Sequence, residues 1–183
     1  MKKIAPKYGI DKEKAYIVGL VHDIGRELDI DEMKELAIKF GNRGIIKMEE
    51  LEKKLETPIT LHSAASAEIL AEKLDNIDNE ILEAVYYHSF GGWNISNLAK
   101  LVFIADLCEP KRDYKEARII RKILLNKNDF NDNFLLASYY SYCYSIKYNL
   151  KSSFIIYKDT INGYNGVLEE LKKRDLVINK KLI

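Results

Sequence analysis

Cysteine is scarce in this chain: its 183 residues hold two, Cys108 and Cys143, far apart and outside any Cys-x-x-Cys spacing. That argues against a disulfide framework or a zinc finger and fits a reducing cytoplasm. Charge of one sign is lacking too, since 29 Lys and Arg against 28 Asp and Glu leave a formal net charge of +1. So balanced a chain has no broad electrostatic surface for nucleic acid or an anionic membrane, and any phosphate binding has to be local. Long apolar runs are missing, none approaching the ~20 residues of a membrane span, and the opening Met-Lys-Lys-Ile-Ala-Pro has no signal-peptide core. There is no internal repeat, no low-complexity stretch and no linker long enough to divide domains. What is present is 47% hydrophobic residues, enough at this length for one good-sized core, so a single domain over 1–183 is expected.

The apolar residues recur with a helical period, and strand-like alternation is hard to find, which makes the expected class all-α. Asp11 is a plausible N-cap for a helix reaching about Glu27, with Ala15, Val18 and His22 on one stripe. Glu32 to about Phe40 and Met48 to about Leu55 read as short helices around the turn Gly41-Asn-Arg-Gly44. Thr57 and Thr60 flank a proline that can open the next helix, His62 to about Leu74. Asp78 caps a helix carrying Ile81, Val85 and His88 on one stripe, ended by Gly91-Gly92. Ser96 starts a helix to Leu107, and Pro110 prevents its continuation. From Asn128 onward lie a Tyr-rich helix, about Phe134 to Asn149, and a C-terminal extension over 151–183 with a final pair of short helices.

The chain has only three histidines, His22, His62 and His88, and each falls on the apolar stripe of an expected helix. Singly, such a histidine is more often a hydrogen-bonded core residue than a ligand. Together with Asp23 and Asp106 they make a set that suits divalent iron, manganese or zinc, because imidazole and carboxylate match these borderline ions. The adjacent His22-Asp23 pair can serve two ions if the carboxylate bridges them, and two close ions can activate a water and clamp a phosphoryl group. Asp106 interrupts Leu101-Val-Phe-Ile-Ala-Asp-Leu107, and a buried carboxylate needs a cation, either a metal or a salt bridge from Arg26 or Arg112. Gly19 lies one turn before the pair, where a mid-helix glycine costs about 1 kcal/mol and suggests a close approach. Small residues from Ser63 to Ala67 let neighbouring backbones come near His62. The tyrosines Tyr139, Tyr140, Tyr142, Tyr144 and Tyr148 suit packing better than base stacking at so low a net charge. Trp93 either closes a core or stacks on a base.

In order and context, His22-Asp23, His62, His88 and Asp106 resemble the HD-domain metal-dependent phosphohydrolases. Tyr8-Gly-Ile-Asp11, Gly19-Leu-Val-His-Asp23, Leu61-His62, Tyr87-His88 and Ala105-Asp-Leu-Cys-Glu-Pro-Lys-Arg-Asp113 are similar to the bacterial symmetrical bis(5'-nucleosyl)-tetraphosphatases. The resemblance implies a helical bundle with a di-iron site in its core, and cleavage of diadenosine tetraphosphate into two ADP. It assigns Asp23 to bridge the ions, His62 and His88 to one of them, and His22 with Asp106 to the other. It makes Asp23 and Arg26 catalytic, and it implies phosphate contacts from Arg26, Arg112 and Lys111, for which a guanidinium fork is well shaped. Lys111 and Arg112 are otherwise a solvated turn. The expected partner is a nucleotide, a dinucleoside polyphosphate or an ADP-like or GDP-like product, and a homodimer is left open. Two departures accompany the resemblance. The family's further ligand histidine lies on a helix preceding Tyr8, before this sequence begins, so one ion is expected to be short of a ligand and the surface under that helix open. After His88, Ser89-Phe-Gly-Gly92 stands where the family has a Thr-Thr-Gly-Arg type of loop, which admits another nucleotide substrate. An inactive relative that binds nucleotide or a partner protein is the third reading.

Overall fold

The computed structural model describes residues 1–55, 58–127, 129–179 and 182. Among these there is no strand, in agreement with the helical period of the sequence, and nine α-helices follow a 3-10 turn over Ala5–Tyr8. They are α1 (Lys12–Val21), α2 (Ile30–Asn42), α3 (Met48–Glu52), α4 (Pro58–Lys73), α5 (Asn79–Tyr87), α6 (Asn97–Leu107), α7 (Lys115–Leu124), α8 (Phe130–Lys151) and α9 (Lys158–Lys173). Short polar side chains start four of them by satisfying N–H groups that lack an intrahelical partner. Asp11 accepts from Glu13 and Lys14, Asp29 from Glu32, Asp78 from Glu80, and Ser96 from Ala99.

Helices α2, α4, α5 and α6 pack in succession, and α7, α8 and α9 form a second run. Helix α1 packs on α5 and α6 of the first run, and contacts of α6 with α7 and α8 join the two runs. Buried side chains from all nine helices belong to one hydrophobic cluster. The α2–α4 contact also carries a two-point ion pair, Arg43 Nε and Nη2 to Glu68 Oε2 and Oε1 at 2.6 and 2.9 Å, with Glu68 buried. No helix among the described residues is long and apolar enough to cross a membrane.

Several boundaries differ from the sequence expectation. Helix α1 stops at Val21 instead of about Glu27, and two i to i+3 turns follow, Ile24 N–H to Val21 O and Arg26 N–H to Asp23 O. The cause is tertiary: Gly25 lies against α4, where a Cβ would meet Ser66 N at 3.0 Å, and its N–H donates to Ser66 Oγ. The close approach expected at Gly19 therefore occurs at Gly25, since a Cβ at Gly19 would meet only Met1 at ordinary contact distance. Helix α2 begins at Ile30 and absorbs Gly41 and Asn42, which were expected in a turn, while α4 begins at Pro58 and α8 at Phe130. Thr57 and Asn128, used above as boundary signals, lie outside the described residues. Helix α7 is an addition, although Ala117, Ile120 and Leu124 do follow the i, i+3, i+7 pattern and are buried. Among the described residues, the expected final pair of short helices is instead the single α-helix α9.

Three tyrosines of α8 face the interior, Tyr139, Tyr140 and Tyr142, while Tyr148 is exposed. Tyr142 stacks on Phe103, and its hydroxyl donates to Gly92 O at 2.7 Å while accepting from Gly92 N–H at 2.9 Å. The loop after His88 is thereby pinned to α8, and Gly91, at φ +65°, makes the tight approach to Tyr142 that a side chain would block. Tyr142→Phe leaves a buried N–H and C=O without their partner and should cost about 1 to 3 kcal/mol. Urea unfolding measures this, and an unchanged midpoint would remove the loop's anchor from the account.

Candidate metal centre

Two helix ends, the turn that follows one of them and the early part of α4 supply the centre. His22 caps the C-terminus of α1, and its N–H still bonds to Val18 O. The turn over Asp23–Arg26, held to α4 through Gly25 and Ser66, swings the Asp23 side chain toward α4 and α5. His62 stands in the early turns of α4, where Ser63, Ala64, Ala65, Ser66 and Ala67 are all buried and small enough to admit it. His88 caps the C-terminus of α5.

Asp23 Oδ1 lies 3.4 Å from His62 Nε2 and 3.2 Å from His88 Nε2, and the two Nε2 atoms are 3.2 Å apart. Among the described residues these three side chains are the group whose donor atoms converge closely enough for one ion. His88 Nδ1 faces Val85 O at 2.7 Å, and a carbonyl only accepts, so Nδ1 carries the hydrogen and Nε2 presents its lone pair inward. Burial pushes the His88 pKa below its ordinary value, which keeps that lone pair free. Burial also opposes ionisation of Asp23, but contacts with His62, His88 and Arg26 outweigh it and hold the carboxyl well below the usual range. Asp23 Oδ1 and His22 Nδ1 are both buried without a hydrogen-bond partner. A buried, unpartnered carboxylate oxygen facing two imidazole nitrogens, one of which presents its lone pair, is costly unless a cation joins them, and the mixed nitrogen and oxygen set suits a borderline divalent ion. The residues present fit a metal.

The remaining sequence candidates are nearby but differently engaged. His22 meets His88 edge to face with ring centres 5.0 Å apart, and its Nε2 is 3.9 Å from Asp23 Oδ2. Arg26 Nη1 holds that same Oδ2 at 2.6 Å. Asp106 is paired with Arg112 Nη2 at 2.8 Å, the ion-pair partner that its place in an apolar run allowed. Lys111 is exposed on the turn after α6. Beside His22 and Asp106 opens a cavity of about 560 Å³ with apolar walls from Ile4, Tyr16, Leu20 and Val102. Trp93 lines a separate cavity of about 550 Å³ and packs against Gly166 of α9, with Lys100 Nζ 5.1 Å from its ring centre.

Two residues of the centre escaped sequence reasoning. Ser89 Oγ lies 3.1 Å from His62 Nε2, 3.0 Å from His88 Nε2 and 2.8 Å from Ser63 Oγ, a placement that no sequence spacing signals. Arg121, on the unanticipated α7, donates to the carbonyls of Cys108, Glu109 and Arg112, and so clamps the turn that carries Arg112. Its signal was the amphipathic stripe of α7, which puts a long basic side chain beside the carbonyls at the α6 C-terminus.

Comparison with known proteins bears on this geometry. The family profile described as HD domain matches residues 1–111. A symmetrical bis(5'-nucleosyl)-tetraphosphatase of Halalkalibacterium halodurans is 30% identical over 171 residues, covering 92% of this chain and 83% of that protein. The Bacillus subtilis protein of the same name is 26% identical over 168 residues, covering 91% and 82%. Among solved structures, an HD superfamily hydrolase of Clostridium acetobutylicum described as involved in NAD metabolism aligns with a TM-score of 0.73. Its identity is 31%, and the alignment covers 92% of this chain and 83% of that one.

The buried imidazole makes the metal-free protein acid-sensitive. His88 refuses a proton that the unfolded chain accepts, so stability is complete above about pH 6.5 and falls as the pH drops below it. Asp23 adds nothing in that window, because it is ionised in both states. Chelator-treated protein should melt at progressively lower temperature from pH 7 to pH 5, with a shallower slope in His88→Gln. Equal slopes in the two proteins would clear His88 as the cause.

Proposed function

This chain belongs to the HD-domain family, and from that premise we propose that it is a metal-dependent nucleotide phosphohydrolase that cleaves diadenosine tetraphosphate symmetrically into two ADP. The observation that carries the reading is the convergence of Asp23 Oδ1, buried without a hydrogen-bond partner, with the Nε2 atoms of His62 and His88. Asp23, His62 and His88 would hold one divalent ion, and His22, the second oxygen of Asp23 and Asp106 would hold another. When bound, such ions supply a nucleophilic water at neutral pH and neutralise charge on the phosphoryl group. Iron is the ion that the family resemblance implies, and the donor set equally suits manganese or zinc.

The chain's own residues have separable tasks. The Val85 carbonyl fixes the His88 tautomer and ring orientation. Arg26 and Arg112 present guanidinium groups beside the centre, in reach of acidic oxygens and shaped for phosphate. Lys111, exposed on the same turn as Arg112, adds a point charge for an outer phosphate. The cavity beside His22 and Asp106, with apolar walls from Ile4, Tyr16, Leu20 and Val102, offers room for the apolar part of a ligand next to the centre. The names of the relatives from Halalkalibacterium halodurans and Bacillus subtilis support the tetraphosphate as substrate.

A second reading keeps the chemistry and changes the nucleotide. The loop Ser89-Phe-Gly-Gly92 offers a hydroxyl and backbone groups in place of a guanidinium, and Tyr142 holds it in that form. The description of the Clostridium acetobutylicum relative also allows a different nucleotide.

Elemental analysis of protein purified without chelator, together with product analysis on diadenosine tetraphosphate, tests both readings. Bound metal and ADP as sole product are expected. Asp23→Ala should lose metal and lower the rate by more than the roughly 10 to 100-fold typical of changing a residue that only orients a ligand. Metal without tetraphosphate cleavage favours the second reading, and a protein that holds no metal and hydrolyses no nucleotide is a binding relative instead.

A further inference from the structure

The converging set of Asp23, His62 and His88 leaves Ser89 over, although its side chain reaches the same point. Ser89 Oγ is 3.1 Å from His62 Nε2 and 3.0 Å from His88 Nε2. Those two nitrogens are 3.2 Å apart and stand 3.4 and 3.2 Å from Asp23 Oδ1. Donors bound about 2.1 Å from one ion lie roughly 3.0 Å apart at octahedral right angles and roughly 3.4 Å apart in a tetrahedron. All these separations fall in that interval. The Ser89 oxygen therefore meets both imidazoles at the spacing of a ligand, as the Asp23 oxygen does.

We propose that Ser89 Oγ is a fourth donor to the ion that Asp23, His62 and His88 would hold, a role that rests on the metal-dependent reading above. A hydroxyl that turns a lone pair toward a cation has to send its proton elsewhere, and Ser63 Oγ, on the buried face of α4, stands 2.8 Å away to accept it. The backbone that follows Ser89 is fixed at two points. Thr160 Oγ1 of α9 donates to Phe90 O at 2.8 Å, and the Tyr142 hydroxyl of α8 holds both polar groups of Gly92. Helices remote from the ligands thus set where the hydroxyl sits. The added donor is neutral, and so are imidazoles bound to a metal. One carboxylate, two imidazoles and a hydroxyl leave a divalent ion with net positive charge, which suits an anionic phosphoryl oxygen. In the competing account, the Ser89 hydroxyl only donates a hydrogen bond to the lone pair of His88 Nε2 and never faces the ion.

Co²⁺ binding to chelator-stripped protein, followed by absorption, separates the two accounts in wild type, Ser89→Ala, Ser89→Thr and Ser89→Cys. The Cys variant puts sulfur where the oxygen stood, and a thiolate bound to Co²⁺ adds a near-ultraviolet charge-transfer band that wild type, with Cys108 and Cys143 as its own control, should lack. A side chain that only hydrogen-bonds an imidazole does not produce that band. Ser89→Ala should weaken Co²⁺ by roughly tenfold, and Ser89→Thr, which keeps the hydroxyl, should stay close to wild type. A Cys variant that binds Co²⁺ without the band, or an Ala variant of wild-type affinity, overturns the assignment. Should the Cys variant fail to fold, the Ala and Thr titrations still decide it. A wild-type chain that binds no Co²⁺ instead overturns the metal reading itself, and the role of Ser89 with it.

Discussion

The lone pairs of Asp23 Oδ1, His62 Nε2 and His88 Nε2, gathered within a few ångströms and buried, are the constraint around which the N-terminal half of this protein is arranged. Such a group is tolerable only if the surrounding elements hold it rigidly and the field is answered by a cation. The rigidity comes from helix ends. His22 and His88 both sit as C-caps, Asp23 follows in a turn locked to α4 through Ser66, and His88 is fixed from behind by the Val85 carbonyl. Part of the cationic answer comes from Arg26, which holds the other oxygen of Asp23.

The C-terminal half supports this arrangement from outside. Helix α8 sends the Tyr142 hydroxyl to both polar groups of Gly92, which fixes the loop that places Ser89 between the two imidazoles. Helix α7 sends Arg121 to three carbonyls beyond α6, which fixes the turn carrying Arg112. Each contact links residues remote from the candidate ligands to the orientation of a group at the centre. The family match over residues 1–111 covers every ligand candidate, while both supports come from beyond it.

Much of the centre was legible beforehand because its chemistry is local in type. Three histidines on apolar stripes, an acid beside one of them and an acid inside an apolar run are unusual at any spacing, and the residues named from that pattern do surround one region of the fold. Less was legible where the deciding contact is distant in sequence. The end of α1 at Val21 depends on Ser66, 41 residues beyond Gly25. Asp106 illustrates the limit differently: its residue type demanded a cation, and only the fold showed Arg112 in that place.

By itself, the sequence determined the helical class, the candidate metal-ligating side chains and a nearly balanced net charge, because periodicity, donor chemistry and charge count are properties of residues in order. The tertiary structure alone decided which donor atoms converge, which carboxylates pair with arginines, that Ser89 sits at the centre and that Arg121 holds the turn beside it. Those are facts about distance and direction between segments far apart in the chain. No local propensity encodes them, because each depends on how buried faces from several helices pack at once.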